Sequence, residues 1–171
     1  MNPFDLKSAL LAKHAQHVVL IHFPIALFIT GVGFDFAARW TRRAALAAAA
    51  YYNLIGAAIS AVPVLVTGIL AWQWQLEGQK LKGVLLLHLV LGCVSGALIG
   101  VVAWIHIRNR PGILVATSEQ QIPRCARNDK SVTDQLVGIA GYRLALELLT
   151  VALVALTGHL GGFLSGVNAP G

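Results

Sequence analysis

Three histidines lie inside long apolar stretches of the chain, and their residue type and placement are the first indication of chemistry. His22 opens one stretch, His88 lies a few residues into another, and His159 lies near the end of a further one. A histidine in a membrane-length apolar helix is costly and tends to face the interior of a helix bundle. Imidazole is the usual axial ligand of b-type haem and a common ligand of copper, zinc and iron. These residues are therefore candidates for a cofactor or metal site.

The elements that must position these histidines are long apolar segments. A helix needs about 20 mainly apolar residues to cross the hydrocarbon core of a bilayer. The pattern predicts helices over residues 17–38, 44–72, 83–107 and 136–164. Pro24 would lie in the first turns of its helix, where a missing N–H does least harm, and Pro63 predicts a kink. The sequence thus predicts an all-α, integral membrane four-helix transmembrane bundle, forming a single domain over residues 1–171.

The composition supports membrane residence. The chain is 57% hydrophobic and 12% charged, whereas soluble domains carry about 25% charged residues. The net charge of +6 is divided among short basic runs between apolar segments. That pattern is typical of loops retained on the cytoplasmic side of a membrane rather than of nucleic-acid binding. We therefore expect the lipid bilayer as a partner and no nucleic acid.

The predicted helices place the three histidines at a common depth. When the helices are threaded up and down, His22, His88 and His159 all lie about one turn beneath the same membrane face, given a rise of about 1.5 Å per residue. This arrangement predicts a haem b site or a metal site near the outer face. His17 lies closer to the surface, where we expect it to be solvated, although it is a further ligand if the metal is copper or zinc. For His106 we expect an interfacial position.

Other roles for these histidines stay open at this point. A buried imidazole also forms hydrogen-bonded bridges between helices, which would make the three residues structural. A proton-linked or quinol-linked role is a third interpretation. The haem hypothesis requires two facing imidazoles with a flat cavity between them, whereas a scaffold would bond its histidines to backbone carbonyls and have no cavity.

Glycines accompany the histidines. His88, Gly92, Gly96 and Gly100 recur every four residues and so form one stripe along a helix. Small residues at this spacing allow close helix packing, and they can equally make room for a flat porphyrin. Gly158, beside His159, belongs to a glycine-rich run that either ends a helix or lets the backbone approach a ligand.

Charged residues near the other face form a second candidate group. Arg143 and Glu147 are spaced i, i+4 on one predicted helix and can pair. Asp35, near the end of the first helix, can join them. Because a buried cation without a counter-charge is strongly unfavourable in lipid, we interpret Asp35, Arg143 and Glu147 as a structural ion pair between helices. A proton relay is the alternative.

The distribution of basic residues predicts orientation. Arginines are concentrated in the loops after the first and third helices: Arg39, Arg42, Arg43, Arg108, Arg110, Arg124 and Arg127. Basic loops are retained in the cytoplasm. We therefore expect a multi-pass protein of the bacterial inner (plasma) membrane with both termini outside. Residues 111–133 read as a flexible cytoplasmic loop, and we assign no role to its polar part, 117–133.

Two short motifs resemble a known family. The sequence His22-Phe23-Pro24-Ile25-Ala26-Leu27 opens the first helix, Asp35 follows in the same helix, and Thr157-Gly158-His159-Leu160-Gly161-Gly162 lies near the C-terminus. Together they resemble the bacterial membrane proteins of the domain-of-unknown-function 2231 (DUF2231) family. The resemblance implies a four-helix membrane domain with a histidine early in helix three, here His88. Members often carry an acidic residue where helix two ends, which residues 67–72 lack.

The expected function follows from the site and not from a catalytic motif. The chain has no nucleophile elbow, no phosphate-binding glycine loop and no HExxH sequence, so we expect no stand-alone catalytic activity. We expect a small electron-transfer subunit that holds one haem b, with two of the three histidines as axial ligands and the third as a hydrogen-bond donor. Lys80 and Lys82 would neutralise the propionates. The partner would be a periplasmic redox protein or a larger membrane complex; the alternatives are a non-redox scaffold and a copper or zinc site.

Overall fold

Helices account for nearly all of the chain that the structure describes. A computed structural model describes residues 13–41, 43–75, 80–109 and 130–164. Its helices are α1 (Lys13–Leu20), α2 (His22–Thr41), α3 (Ala44–Gln75), α4 (Gly83–Arg108) and α5 (Lys130–Leu164). Four spans are long and apolar enough to cross a membrane: Gln16–Thr41, Ala44–Gln73, Gly83–Arg108 and Gly141–Leu164. The predicted all-α transmembrane fold class is thereby confirmed.

The first span is interrupted near its start. A single helix over 17–38 was expected, but Ile21 is a turn that separates α1 from α2. Pro24 explains the position of this break, because proline has no N–H for the carbonyl of Leu20 and its ring clashes with that carbonyl. Pro24 itself lies in the first turn of α2. The break places His17 and His22 on two different helical segments.

The last helix begins earlier than the sequence pattern indicated. The expected helix was 136–164, whereas α5 begins at Lys130. The remainder of the segment expected as a loop, 111–129, lies outside the described residues. The expectation of a flexible loop therefore falls, for 111–129, outside the described part of the chain.

The helices pack in chain order and close into a ring. α2 packs extensively on α3, α3 on α4, and α4 on α5, while a smaller contact between α5 and α2 closes the bundle. Gly31 shows how close α2 and α3 come: a Cβ built there would lie 2.9 Å from Cγ of Leu54. Small residues at such crossings allow close van der Waals packing, which drives helix association in lipid.

A short apolar core lies at mid-height in the bundle, and the outside is apolar as well. The core contains Phe28, Val32, Leu54, Ala57, Ile99, Val102 and Val154. Large apolar side chains such as Ile59 and Val62 are exposed, as expected for surfaces that face lipid. The core divides the bundle into two ends, which we call the His22 end and the Asp35 end after the residues that lie there.

Candidate functional site

A cleft of about 970 Å³ opens between the helices at the His22 end. All five helices contribute to its walls, and His17, His22 and His88 line it. We call it the histidine cleft. Its other walls are largely apolar and include Ile25, Val64, Leu65, Leu85, Leu89 and Ile99. Cofactor and ligand sites commonly have volumes of about 300–1,000 Å³, apolar walls and a few polar groups, so the histidine cleft has the size and the composition of a ligand site.

Two of the lining histidines are held by neighbouring helices. His88 Nδ1–H on α4 donates to the carbonyl oxygen of Thr157 on α5, at 3.1 Å. His17 Nδ1–H on α1 donates to the carbonyl oxygen of Val64 on α3, also at 3.1 Å. A carbonyl only accepts, so these bonds place the ring proton on Nδ1 and leave the lone pair on Nε2. Metal-binding imidazoles are usually oriented by such a second bond.

His22 has the same nitrogen arrangement, with a bond that crosses the break between α1 and α2. Its Nδ1–H donates to the carbonyl oxygen of Val18, one turn earlier, at 2.8 Å. The ring is exposed and lines the histidine cleft. All three lining imidazoles therefore carry their proton on Nδ1 and present Nε2 as the possible ligand atom.

Glycines accommodate two of these rings. A Cβ at Gly68 would lie 2.9 Å from Cε1 of His17, and a Cβ at Gly161 would lie 3.1 Å from Cε1 of His88. Both distances are shorter than ordinary van der Waals contact between carbon atoms, which is about 3.5–4.0 Å. The absent side chains therefore let both rings lie directly against the backbone of the facing helix.

The glycines of the predicted stripe serve both cleft and packing. Gly92 and Gly96 of the stripe line the histidine cleft, as does Gly158 on α5. Gly96 also makes a close crossing, since a Cβ there would lie 2.9 Å from Cδ1 of Leu65. At Gly92 the nearest side-chain atom would lie at 3.9 Å, on Thr157, which is ordinary contact. Gly96 therefore fits the packing interpretation, while Gly92 leaves room on the cleft wall.

His159 lies apart from the other predicted histidines. Its ring is exposed and makes an edge-to-face contact with Phe163, with ring centroids 5.0 Å apart. The histidine cleft is lined by His22 and His88 but not by His159. His17, which was expected to be solvated, is half-buried and lines the cleft with His22 and His88.

A second group of chemically capable side chains is buried at the Asp35 end. Asp35 on α2, His106 on α4 and Glu147 on α5 offer ligand atoms that all lie within 4.8 Å of one another. We call these residues the buried triad. His106 Nε2 lies 3.6 Å from Asp35 Oδ1 and 3.4 Å from Glu147 Oε1. The exposed fractions are 7% for Asp35, 7% for His106 and 0% for Glu147. One imidazole and two carboxylates form a possible metal-binding group.

Two arginines supply positive charge to the buried triad. Arg39 donates to Asp35 Oδ2 at 2.6 Å. Arg143 Nη2 lies 3.5 Å from Asp35 Oδ1 and 2.7 Å from His106 Nε2. The structure thus brings Asp35, Arg143 and Glu147 to one place, where an interhelical ion pair was expected. Among the described residues, however, Arg143 pairs with Asp35, and the group nearest Glu147 is His106 rather than Arg143.

His106 is the member that sequence reasoning missed. We expected an interfacial residue, but the structure buries the ring between α2, α4 and α5. Its Nδ1–H donates to the carbonyl oxygen of Val102 at 3.0 Å, which leaves the Nε2 lone pair to accept from Arg143. The signal available in the sequence was the common depth of His106, Asp35 and Glu147 in the predicted helices.

The histidine cleft and the buried triad are well separated along the bundle. His88 and His106 lie on the same helix, and a rise of about 1.5 Å per residue places their backbones about 27 Å apart. Ile99 lines the histidine cleft and also belongs to the apolar core. The core therefore lies between the histidine cleft and the buried triad, so that each can be tested without the other.

These features define a four-helix membrane protein with a histidine-lined cleft at one end and a buried acidic–histidine group at the other. The chain belongs to the family described as Predicted membrane protein (DUF2231), whose model matches residues 13–168. This match confirms the resemblance carried by the His22-Phe23-Pro24 and 157–162 motifs. No curated protein matches the chain, and no solved structure does.

Proposed function

We propose that the protein binds one b-type haem in the histidine cleft and acts as a small electron-transfer subunit of the membrane. The observation that carries the proposal is the combination of a cleft of about 970 Å³ with three lining imidazoles, His17, His22 and His88. Each ring is oriented through Nδ1 by a backbone carbonyl. A neutral imidazole fixed in this way is suited to bind iron through Nε2.

His88 and His22 are the proposed axial ligands. His88 is half-buried on the α4 wall of the cleft, and His22 is the first residue of α2. Bis-histidine ligation requires ring nitrogens about 4 Å apart, since each iron–nitrogen bond is about 2 Å. His17 is proposed to accept a hydrogen bond through Nε2 at the edge of the porphyrin. His159, exposed against Phe163, takes no part in this form of the proposal.

The mouth of the histidine cleft has basic residues suited to propionates. Leu81 lines the cleft, and its sequence neighbours Lys80 and Lys82 are exposed. Their ammonium groups would pair with the carboxylates of a haem whose ring lies among apolar side chains. This arrangement would place the propionates toward the aqueous face at the His22 end.

The orientation we propose places the His22 end outside the cell. Arginines at the Asp35 end would be retained in the cytoplasm of a bacterium, with the protein in its inner membrane. A haem at the His22 end would then exchange electrons with a periplasmic redox protein or a larger membrane complex. One haem at one face does not carry electrons across the whole bilayer, so the subunit would need such a partner.

Two other functions would use the same residues differently. In a non-redox scaffold, the hydrogen bonds of His17 and His88 to backbone carbonyls would serve only to cross-link helices, a role that these bonds suit. The open cleft beside them is what favours a ligand, because a cross-link needs no cavity. In a copper or zinc site, His17, His22 and His88 would converge on one ion; the sequence also predicted His159 as a ligand there.

The test is a haemin titration of the purified protein in detergent, followed by the difference spectrum. Wild type should bind one haemin per chain, and His22→Ala or His88→Gln should weaken binding by at least about 10-fold. Glutamine at 88 can still donate to the Thr157 carbonyl, so the helix contact is retained. His159→Ala is the matched control and should bind as wild type does.

The outcomes separate the three functions. Equal haemin binding by all the variants, or no saturable binding by folded wild type, would overturn the haem proposal. Tight binding of Cu²⁺ or Zn²⁺ that is lost in His88→Gln would support the metal site instead. Loss of thermal stability in the histidine variants without any ligand binding would support the scaffold.

A further inference from the structure

We propose that the buried triad binds one divalent transition-metal ion, of the class of Zn²⁺ or Mn²⁺, through His106 Nε2, Asp35 Oδ1 and Glu147 Oε1. The three ligands come from α4, α2 and α5, so the ion would join three helices at the Asp35 end. This site uses none of the residues of the histidine cleft. The proposed metal site therefore does not depend on the proposed haem.

The spacing of the ligand atoms fits a single ion. Zinc binds imidazole nitrogen and carboxylate oxygen at about 2.0–2.2 Å, so that two ligands of a tetrahedral site lie about 3.3–3.6 Å apart. His106 Nε2 lies 3.4 Å from Glu147 Oε1 and 3.6 Å from Asp35 Oδ1. All three ligand atoms lie within 4.8 Å of one another. A small inward movement of the carboxylates would complete the coordination.

His106 is held in the form that a metal requires. Its Nδ1–H donates to the Val102 carbonyl at 3.0 Å, which fixes the ring and leaves a lone pair on Nε2. The same nitrogen accepts from Arg143 Nη2 at 2.7 Å. If Nε2 carried a proton, two donors would face each other across this contact. The contact with Arg143 therefore also favours the neutral tautomer that can bind a metal.

Glu147 gives an independent indication of a cation-binding site. Its side chain is completely buried, and neither carboxylate oxygen has a hydrogen-bond partner among the described residues. The nearest group, His106 Nε2, already has a lone pair and offers no proton to Oε1. Buried polar atoms are nearly always satisfied, and an unsatisfied one calls for an explanation. A metal ion between Glu147 and His106 would satisfy both groups.

Arg143 occupies the position of the ion. Its guanidinium contacts His106 Nε2 and Asp35 Oδ1, which are two of the three proposed ligand atoms. The side chain is 18% exposed, so it can swing toward the membrane surface when the ion enters. Arg39 remains on Asp35 Oδ2 and leaves Oδ1 for the metal. The ion would thus exchange one buried cation for another and keep the charge of the carboxylates compensated.

The test is a Zn²⁺ titration by calorimetry of full-length protein in detergent, stripped with chelator and without added haem. Wild type should bind one ion in this site, and Glu147→Gln or Asp35→Asn should weaken binding by at least about 10-fold. His88→Gln should retain the site, because it alters only the histidine cleft. Arg143→Gln should bind zinc more tightly, since the competing guanidinium is gone; a purely structural ion pair predicts no such gain.

A second measurement needs no variant. X-ray absorption at the zinc edge of wild type should show one imidazole among oxygen ligands. A spectrum with two or more imidazoles would place the ion in the histidine cleft and overturn the proposal. So would the absence of saturable zinc binding by folded wild type, or affinity that is the same in wild type and Glu147→Gln.

Discussion

His88 on α4 is hydrogen-bonded to Thr157 on α5, and a second bond ties Thr157 to the same helix. His88 Nδ1–H donates to the Thr157 carbonyl at 3.1 Å. One side-chain hydrogen bond joins the Thr157 hydroxyl to the Ser95 hydroxyl on α4 at 3.2 Å. Both bonds cross the same helix pair, so the imidazole that lines the cleft is fixed by the packing of α4 on α5. Precise placement of that ring is what a ligand site requires.

Substitution of Gly161 should disturb this placement. A Cβ at 161 would lie 3.1 Å from Cε1 of His88, so Gly161→Val should push the ring from its position. We expect haemin affinity to fall by about 10-fold, as for changes to residues that orient metal ligands. Gly100→Ala is the control, because a Cβ there would meet no described atom beyond its own helix within 4 Å. Unchanged affinity in Gly161→Val would mean that His88 is not a ligand.

The crossing of α2 and α3 should be intolerant of added volume. A Cβ at Gly31 would lie 2.9 Å from Cγ of Leu54, which is completely buried. Gly31→Ala should therefore destabilise the protein by about 1–3 kcal/mol. Gly33→Ala, two residues away and open around its Cβ, should be neutral or stabilise by up to about 1 kcal/mol. Unfolding in detergent followed by circular dichroism measures both, and equal effects would contradict the packing described here.

The two carboxylates of the buried triad should differ in their importance to stability when metal is removed. Asp35 compensates Arg39 and Arg143, so Asp35→Asn leaves two partly buried cations without their counter-charge. We expect a loss of about 3 kcal/mol. Glu147 accepts no hydrogen bond from the described residues, so Glu147→Gln should change stability by less than about 1 kcal/mol.

Thermal unfolding in the presence of chelator provides this comparison. An equal loss in the two variants would show that Glu147 has a partner of comparable strength in the metal-free protein. Repeating the measurement with saturating zinc should stabilise wild type more than Glu147→Gln, because only a bound ion links Glu147 to the other helices.

The membrane orientation is open to a direct test. The arginine-rich Asp35 end is proposed to be cytoplasmic and both termini to be outside. Alkaline phosphatase fused after Gly171 should therefore be active, and green fluorescent protein fused there should not fluoresce. Bright fluorescence and inactive phosphatase would invert the orientation and place the histidine cleft on the cytoplasmic side.

The fold was predictable because one strong signal determines it. Apolar segments of membrane length specify helices, and the four spans follow from their length and hydropathy. The break at Ile21 was not predicted, although Pro24 follows it by three residues. The reason is that a proline in the first turn of a helix suits that helix, while it also ends any helix that precedes it.

The candidate site was only partly predictable. The sequence indicates the depth of each histidine in the membrane, but not the direction in which its side chain faces around the helix axis. His22, His88 and His159 were chosen by depth, and two of them line the cleft. His159 does not line the cleft, whereas His17 does, with its ring against Gly68 on α3. His106 shows the same limitation, since its burial depends on the way α2, α4 and α5 pack around it.

The most direct test of the central claim is the optical spectrum of wild-type protein purified from haem-replete cells, oxidised and then reduced with dithionite. A bis-histidine b-type haem should give a sharp α-band at about 560 nm on reduction. The band should be absent from His88→Gln and retained in His159→Ala. A featureless spectrum from folded, haem-replete wild type would contradict the account, and so would a band of equal intensity in His88→Gln.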